Sequence, residues 1–311
     1  MTERILVLKL GAFGNMVLSL GAFAAVRAHH PEAEITLLTT APYRDWMSRA
    51  PYFDRIWIDS RPAWWNIPGW LSLRHRLADA QFTRVYDLQT SSRSNSYFRL
   101  FPRSARPEWS GIAPGCSYPD RDPNRDHIHD ADRQAGQLRQ AGIAHVPPAD
   151  LSWSHADTSR FNLPARYALL VPGSSPHRPQ KRWPTTHYRV IAEQLAAHGL
   201  TSVVLGSTTE TALAQQIGPV ARDLTGRTGF DELASLARGA TLAVGNDTGP
   251  MHLIAAAGCP AIVLFSSDSD PALCAPRGRA VRVLRRATLS DLPVEEVAAE
   301  TFALLPAFQL A

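Results

Sequence analysis

The chain of 311 residues is 45% hydrophobic and 19% charged, a composition that excludes disorder as its main state and gives room for one large or two medium domains. Its 32 Lys and Arg exceed its 28 Asp and Glu by a formal +4, a modest surplus that suits anionic small ligands and comes without a nucleic-acid-binding signature. The longest apolar run, Leu253 to Phe265, is interrupted by Gly258 and Pro260 and falls short of the roughly 20 residues that cross a bilayer.

Apolar β-type runs alternate with helix-length amphipathic segments, the pattern of parallel sheets with helical crossovers. Met1-Thr-Glu-Arg enters the first run without the basic lead and cleavage site of a secretory signal, which predicts a cytoplasmic protein. In the first half, strands are predicted over 5–10, 35–40, 55–58 and 84–88, with helices near 16–29, 43–49 and 70–79. Gly111 to Pro164 lacks apolar periodicity and reads as a polar stretch, with Pro147, Pro148 and Pro164 marking a hinge between about 148 and 165. In the second half, strands are predicted over 167–171, 202–206, 221–224, 242–245, 261–265 and 281–284, with helices near 185–198, 209–217, 230–238, 248–257 and 293–304. The fold class is therefore α/β, in two doubly wound halves divided as 1–155 and 156–311. Cys116, Cys259 and Cys274 form no C-x-x-C pair and read as buried thiols, with neither a disulfide framework nor a zinc knuckle.

Three strand-to-helix junctions carry chemistry. The first strand runs into Lys9-Leu-Gly-Ala-Phe-Gly-Asn15, where Gly11 and Gly14 allow a tight turn and a close ligand approach; the spacing is not the G-x-G-x-x-G of a dinucleotide site. Val171-Pro-Gly-Ser-Ser175 leads to Lys181-Arg-Trp-Pro184, offering hydroxyls from Ser174 and Ser175 and a compact cation to a phosphate. Val244-Gly-Asn-Asp-Thr-Gly-Pro-Met-His252 closes a strand and opens a helix, where Asp247 or Thr248 can cap and where bare amides face an anion. Gly249 and His252 share that mouth. His127-Ile-His129 lacks a third ligand at metal spacing and reads as a polar loop. Trp64, Trp65 and Trp70, set among Arg61, Arg74 and Arg76, admit two readings: a membrane-interface anchor, or the packing of a short helix.

Taken together and in this order, the three junctions resemble the bacterial ADP-heptose:lipopolysaccharide heptosyltransferases, glycosyltransferase family 9. The likeness covers nearly the whole chain. It implies the GT-B fold, two Rossmann-like domains facing a central cleft, with residues 1–155 binding the acceptor and 156–311 the nucleotide sugar; the last helix is a candidate to pack back on the N-terminal domain. It further implies an inverting, metal-independent transferase without cofactor, moving heptose from ADP-heptose onto an anionic glycolipid in lipopolysaccharide assembly. Such a protein would work in the cytoplasm, in peripheral contact with the inner membrane. By the same resemblance Ser174, Ser175, Thr248, Gly249 and His252 hold the diphosphate, and Lys181 offsets charge on the departing group. Asp247 reaches sugar hydroxyls or caps, and Glu210 holds the ribose. Arg93, Arg99, Arg103 and Arg106 are candidates for the acceptor's anionic groups. At position 15 the family usually has an aspartate expected to act as general base, and this chain has Asn15, which cannot take a proton at neutral pH. Three alternatives follow: another base, an engineered Asp-to-Asn change in an active transferase, or a protein that binds sugar nucleotide without turnover.

Overall fold

The computed structural model describes residues 2–174 and 178–305. The chain divides into two compact units, Met1–Ala149 and Asp150–Ala311. Residues 151–156 are fastened within the second unit: Arg238 donates to the carbonyls of Leu151 and Ser154, and the Ser154 hydroxyl donates to Asp231 at 2.6 Å.

The first unit contains β1 (Arg4–Leu8), α1 (Phe13–Leu18), α2 (Leu20–His29), β2 (Glu34–Thr39), α3 (Arg44–Met47), β3 (Arg55–Ile58), α4 (Ile67–Asp79), β4 (Arg84–Asp87), α5 (Ser92–Phe98), β5 (Glu108–Gly111), β6 (Tyr118–Pro119) and α6 (Asp130–Gln140). Its strands form one sheet in the order β3-β2-β1-β4-β5-β6, all neighbours parallel. The central strand β1, Arg-Ile-Leu-Val-Leu, is apolar on both faces because helices cover both. One face is filled by Leu6, Leu8, Leu73, Leu77, Val85, Phe98 and Trp109, so α4 and α5 lie on it. The single helix expected over 16–29 is two helices, parted at Ser19, whose hydroxyl turns back to the Asn15 carbonyl at 2.7 Å. The polar stretch beginning at Gly111 holds α6, whose buried face is Asp130, Gln134, Gln137 and Leu138. That face has helical spacing but mostly polar residues, so apolar periodicity misses it. His129 stands at its N-cap, where Nδ1 accepts from the Ala131 N–H at 3.2 Å.

The second unit contains β7 (Tyr167–Val171), α7 (Thr185–Ala197), β8 (Thr201–Val204), α8 (Thr211–Ile217), β9 (Ala221–Asp223), α9 (Phe230–Gly239), β10 (Leu242–Asn246), α10 (Gly249–Ala256), β11 (Ala261–Phe265), α11 (Pro271–Cys274), β12 (Val281–Arg285) and α12 (Val294–Ala303). Its sheet, β12-β11-β10-β7-β8-β9, is again all parallel. β7, β10 and β11 are buried throughout. Tyr188, Ile191 and Leu195 of α7 and Val297 and Ala298 of α12 share one core with Leu170, Val244 and Leu264, so α12 packs within its own unit. Cys116 and Cys259 are buried and Cys274 is partly so; burial pushes the Cys259 thiol up to about 12. Among the described residues, no helix is long and apolar enough to cross a membrane.

Candidate active site

Both sheets have the strand order 3-2-1-4-5-6 of a doubly wound fold. Such sheets present chemistry outside the carboxyl ends of the strands, at the point where the winding reverses. In the second unit that point lies between β7 and β10, and the junctions 172–184 and 247–252 open directly from it.

Asn246, the last residue of β10, is fully buried and holds this region together. Its Nδ2 donates to the Pro172 carbonyl at 2.7 Å, while its Oδ1 accepts from the Trp183 N–H at 3.1 Å and the Tyr188 hydroxyl at 3.0 Å. One side chain thus ties the ends of β7 and β10 to the start of α7. Lys181, in a 3-10 turn over Pro179–Lys181, is only 8% exposed, and its Nζ is 2.5 Å from Oδ2 of Asp247, itself 9% exposed. The Ser269 hydroxyl donates to the same oxygen at 2.5 Å. Asp247 is therefore the counter-charge of Lys181, and Thr248 occupies the N-cap of α10 without a capping side-chain hydrogen bond. An anion reaching this edge meets a cation already held in place by a hydrogen-bonded carboxylate.

The other donor candidates among the described residues follow strand ends of the same sheet. Ser174 is buried; its hydroxyl donates to the Arg178 carbonyl at 3.0 Å and accepts from Arg182 Nε at 3.2 Å, so the second cation of the Lys181-Arg182 pair braces the loop. Glu210 follows β8, and its Oε2 accepts from the Ser207 N–H at 2.7 Å and the Ser207 hydroxyl at 3.1 Å. Its Oε1 approaches Gly173 so closely that a Cβ there would lie 1.5 Å away, so a side chain at 173 would displace this carboxylate. Gly249 is the first and His252 the fourth residue of α10, with His252 buried. Ser175 lies outside the described residues.

In the first unit the reversal lies between β1 and β4. Lys9, just past β1, is 2% exposed; its Nζ donates to the Leu88 carbonyl at 2.9 Å and stands 3.9 Å from Asp130 Oδ2. Burial pulls its pKa below the usual lysine value, with Asp130 and Asp87 acting the other way. Asp87 ends β4, and burial pushes it up to about 6, opposed by hydrogen bonds that include those from the Thr90 and Gln89 N–H groups. Gln137 of α6 donates to the Asp87 carbonyl at 3.0 Å. The turn into α1 is made by Gly11 at φ +113°, whereas Gly14 is a buried residue within α1. Leu10 is held by Gln89 on its N–H at 2.8 Å and by Arg61 on its carbonyl at 2.7 Å. Asn15, third residue of α1, is exposed.

Of the four acceptor candidates, Arg93 lies in the first turn of α5, near the strand ends, with its guanidinium over the rings of Trp64 at 5.1 Å and Trp70 at 5.5 Å. Arg99, Arg103 and Arg106 lie where the chain, after crossing back along α5, enters β5, at the opposite end of the sheet. Arg106 stacks on Phe98 at 4.3 Å. The structure thus does not gather the four. Asn246, Arg61 and the Lys9–Asp130 contact are additions that residue patterns do not single out; only the placement of Lys9 and Asn246 at strand ends hinted at them.

Two six-stranded doubly wound units in one chain have the architecture of the GT-B fold. The model of glycosyltransferase family 9 (heptosyltransferase) matches residues 70–298. The lipopolysaccharide heptosyltransferase 2 of Escherichia coli is 26% identical over 92% of this chain and 88% of its own length. Among solved structures, the family 9 glycosyl transferase from Veillonella parvula superposes with a TM-score of 0.82 at 20% identity over 97% of each chain. The E. coli heptosyltransferase WaaC with ADP gives 0.76 at 21% identity, over 97% of this chain and 99% of that one. The protein belongs to glycosyltransferase family 9 and is a glycosyltransferase.

Proposed function

We propose that this protein transfers heptose from ADP-heptose to the core of a lipopolysaccharide, with inversion at the anomeric carbon and without a metal ion, at the cytoplasmic face of the inner membrane. The observation that carries this reading is the Lys181–Asp247 pair at the β7/β10 reversal, beside the start of α10. A leaving diphosphate gains negative charge in an oxocarbenium-like transition state, and a cation fixed beforehand opposes that charge without reorganising. Lys181 and the α10 terminus supply here what a divalent ion supplies elsewhere. Ser174, Ser175, Thr248, Gly249 and His252 complete the donor pocket, with Glu210 on the ribose. The solved WaaC complex with ADP and the heptosyltransferase names of the relatives support adenine and heptose as donor parts.

The acceptor belongs to the first unit, with Asn15 at the position of the base and Arg93 on the acceptor's anionic groups. A second reading, binding without turnover, draws on the amide at position 15, which accepts a hydrogen bond but not a proton. Calorimetry across ADP-, UDP- and GDP-sugars, followed by transfer assays on heptose-deficient lipopolysaccharide, separates the readings. ADP-heptose binding with product formation is expected; binding without product establishes the second reading, and a preference for UDP- or GDP-sugars overturns the donor assignment.

A further inference from the structure

Most large hydrophobic side chains among the described residues are buried or partly buried. Five stand exposed among the described residues: Trp64 at 59%, Trp65 at 83%, Ile67 at 66%, Leu71 at 45% and Val283 at 37%. Four of the five fall in the single stretch Trp64–Leu71, and a concentration of this kind marks an interaction surface rather than scattered exposure. The stretch is held in shape. Trp64 stacks on Trp70 with ring centroids 5.2 Å apart, and Trp70 in turn packs on Tyr97 at 5.9 Å and donates Nε1–H to the Ala63 carbonyl at 3.1 Å. The Asn66 side chain accepts from the Gly69 N–H and caps α4. Of the two sequence readings, core packing therefore fits Trp70, whereas Trp64 and Trp65 face outward.

We propose that this stretch docks the protein on the anionic phospholipid surface of a bilayer. Charge complementarity favours that occupant. Ile67 and Leu71 lie one turn apart on α4, and the same face continues into exposed Arg74 and His75, with Asp79 the only acid of the helix. Indoles and aliphatic side chains enter the boundary between headgroups and acyl chains, while arginines alongside meet lipid phosphate. A helix lying flat with such a face needs no spanning segment. The proposal deepens the reading of a lipid-linked acceptor and rests on it: docking brings the first unit to the surface where that acceptor is embedded.

The test is sedimentation of the full chain with vesicles of phosphatidylcholine alone or mixed with phosphatidylglycerol, at low and high salt, beside calorimetry with ADP. Wild type is expected to pellet with the mixed vesicles and to be released by salt. The doubly substituted Trp65→Ser, Ile67→Ser protein should partition on the order of tenfold less, and Arg74→Glu severalfold less, at unchanged ADP affinity and melting temperature. Equal partition onto both vesicle types overturns the anionic-lipid assignment, and equal partition of the double variant overturns the assignment to this stretch. Absence of vesicle binding, together with a dimer in analytical ultracentrifugation that the double variant abolishes, gives the surface to a second copy of the chain and overturns the proposal. Vesicle binding without ADP binding leaves docking standing and removes the donor reading instead.

Discussion

The two units share a strand order and place a buried lysine after their first strand, yet they hold it with different partners. Lys9 is sealed under the sheet edge, its charge spent on the Leu88 carbonyl and on Asp130 of α6. Lys181 lies farther along its junction, against a carboxylate from the neighbouring strand end. The difference comes from the helices: α6 turns a polar underside to the first sheet, while α7 turns Tyr188, Ile191 and Leu195 to the second. Identical topology therefore yields one lysine held by a helix carboxylate and a strand-end carbonyl, and one held by the carboxylate that follows the neighbouring strand.

That contrast can be broken or sharpened by substitution. The largest effect is expected in the first unit at Asn15, where Asn15→Asp should raise turnover with ADP-heptose on the order of 10² to 10⁴, the usual contribution of a positioned base, with donor affinity unchanged. A variant no faster than its parent in steady-state assays would assign the proton to another group. Next comes Lys9→Met, expected to lower unfolding free energy by about 3 kcal/mol in urea titrations, because it leaves buried polar partners uncompensated, while ADP affinity holds. Lys181→Ala should do the reverse: ADP binding weakens by about 1.5 to 3 kcal/mol in calorimetry, and if affinity is kept the two lysines are not different in kind.

The last effect concerns acidity. Asp87 holds its proton up to about 6 when folded, against an unfolded value near 3.8, so the folded state binds that proton more tightly across the interval. Its contribution to stability is present below pH ~4 and declines as pH rises toward ~6. Asp87→Asn removes the decline, so the stability of the variant relative to wild type should climb across that window in urea midpoints taken at successive pH values. A flat difference would mean that Asp87 titrates alike in both states.

How much of this was legible beforehand differs between strands and helices. The expected spans 167–171 and 261–265 are those of β7 and β11, because strands buried on both faces are written as unbroken apolar runs. α5 and α6 were not anticipated: one opens on Ser91 and Ser94 in a capping box, and the other buries Asp130, Gln134 and Gln137. The junctions of the second unit were readable because each is local to one strand end. The partnership of Lys181 and Asp247 was not, since 66 residues separate them and only the adjacency of β7 and β10 brings them together. The four arginines expected from sequence to serve an acceptor show the converse, as neighbours in sequence that a helix carries to opposite ends of a sheet.

The winding order also sets when each crevice comes into being during synthesis. β1 and β7 are made first in their units but occupy inner positions, and the contacts that close their reversal points span 79 residues from Lys9 to Leu88 and 74 from Pro172 to Asn246. Until the fourth strand emerges, one edge of the first strand has no backbone partner, and pairings of such long range are slow to form. Each crevice is thus a late product of its own unit. The second is completed only after every residue of the first unit has left the ribosome, so a nascent chain can finish the half that carries Asn15 before the half that carries Lys181 exists.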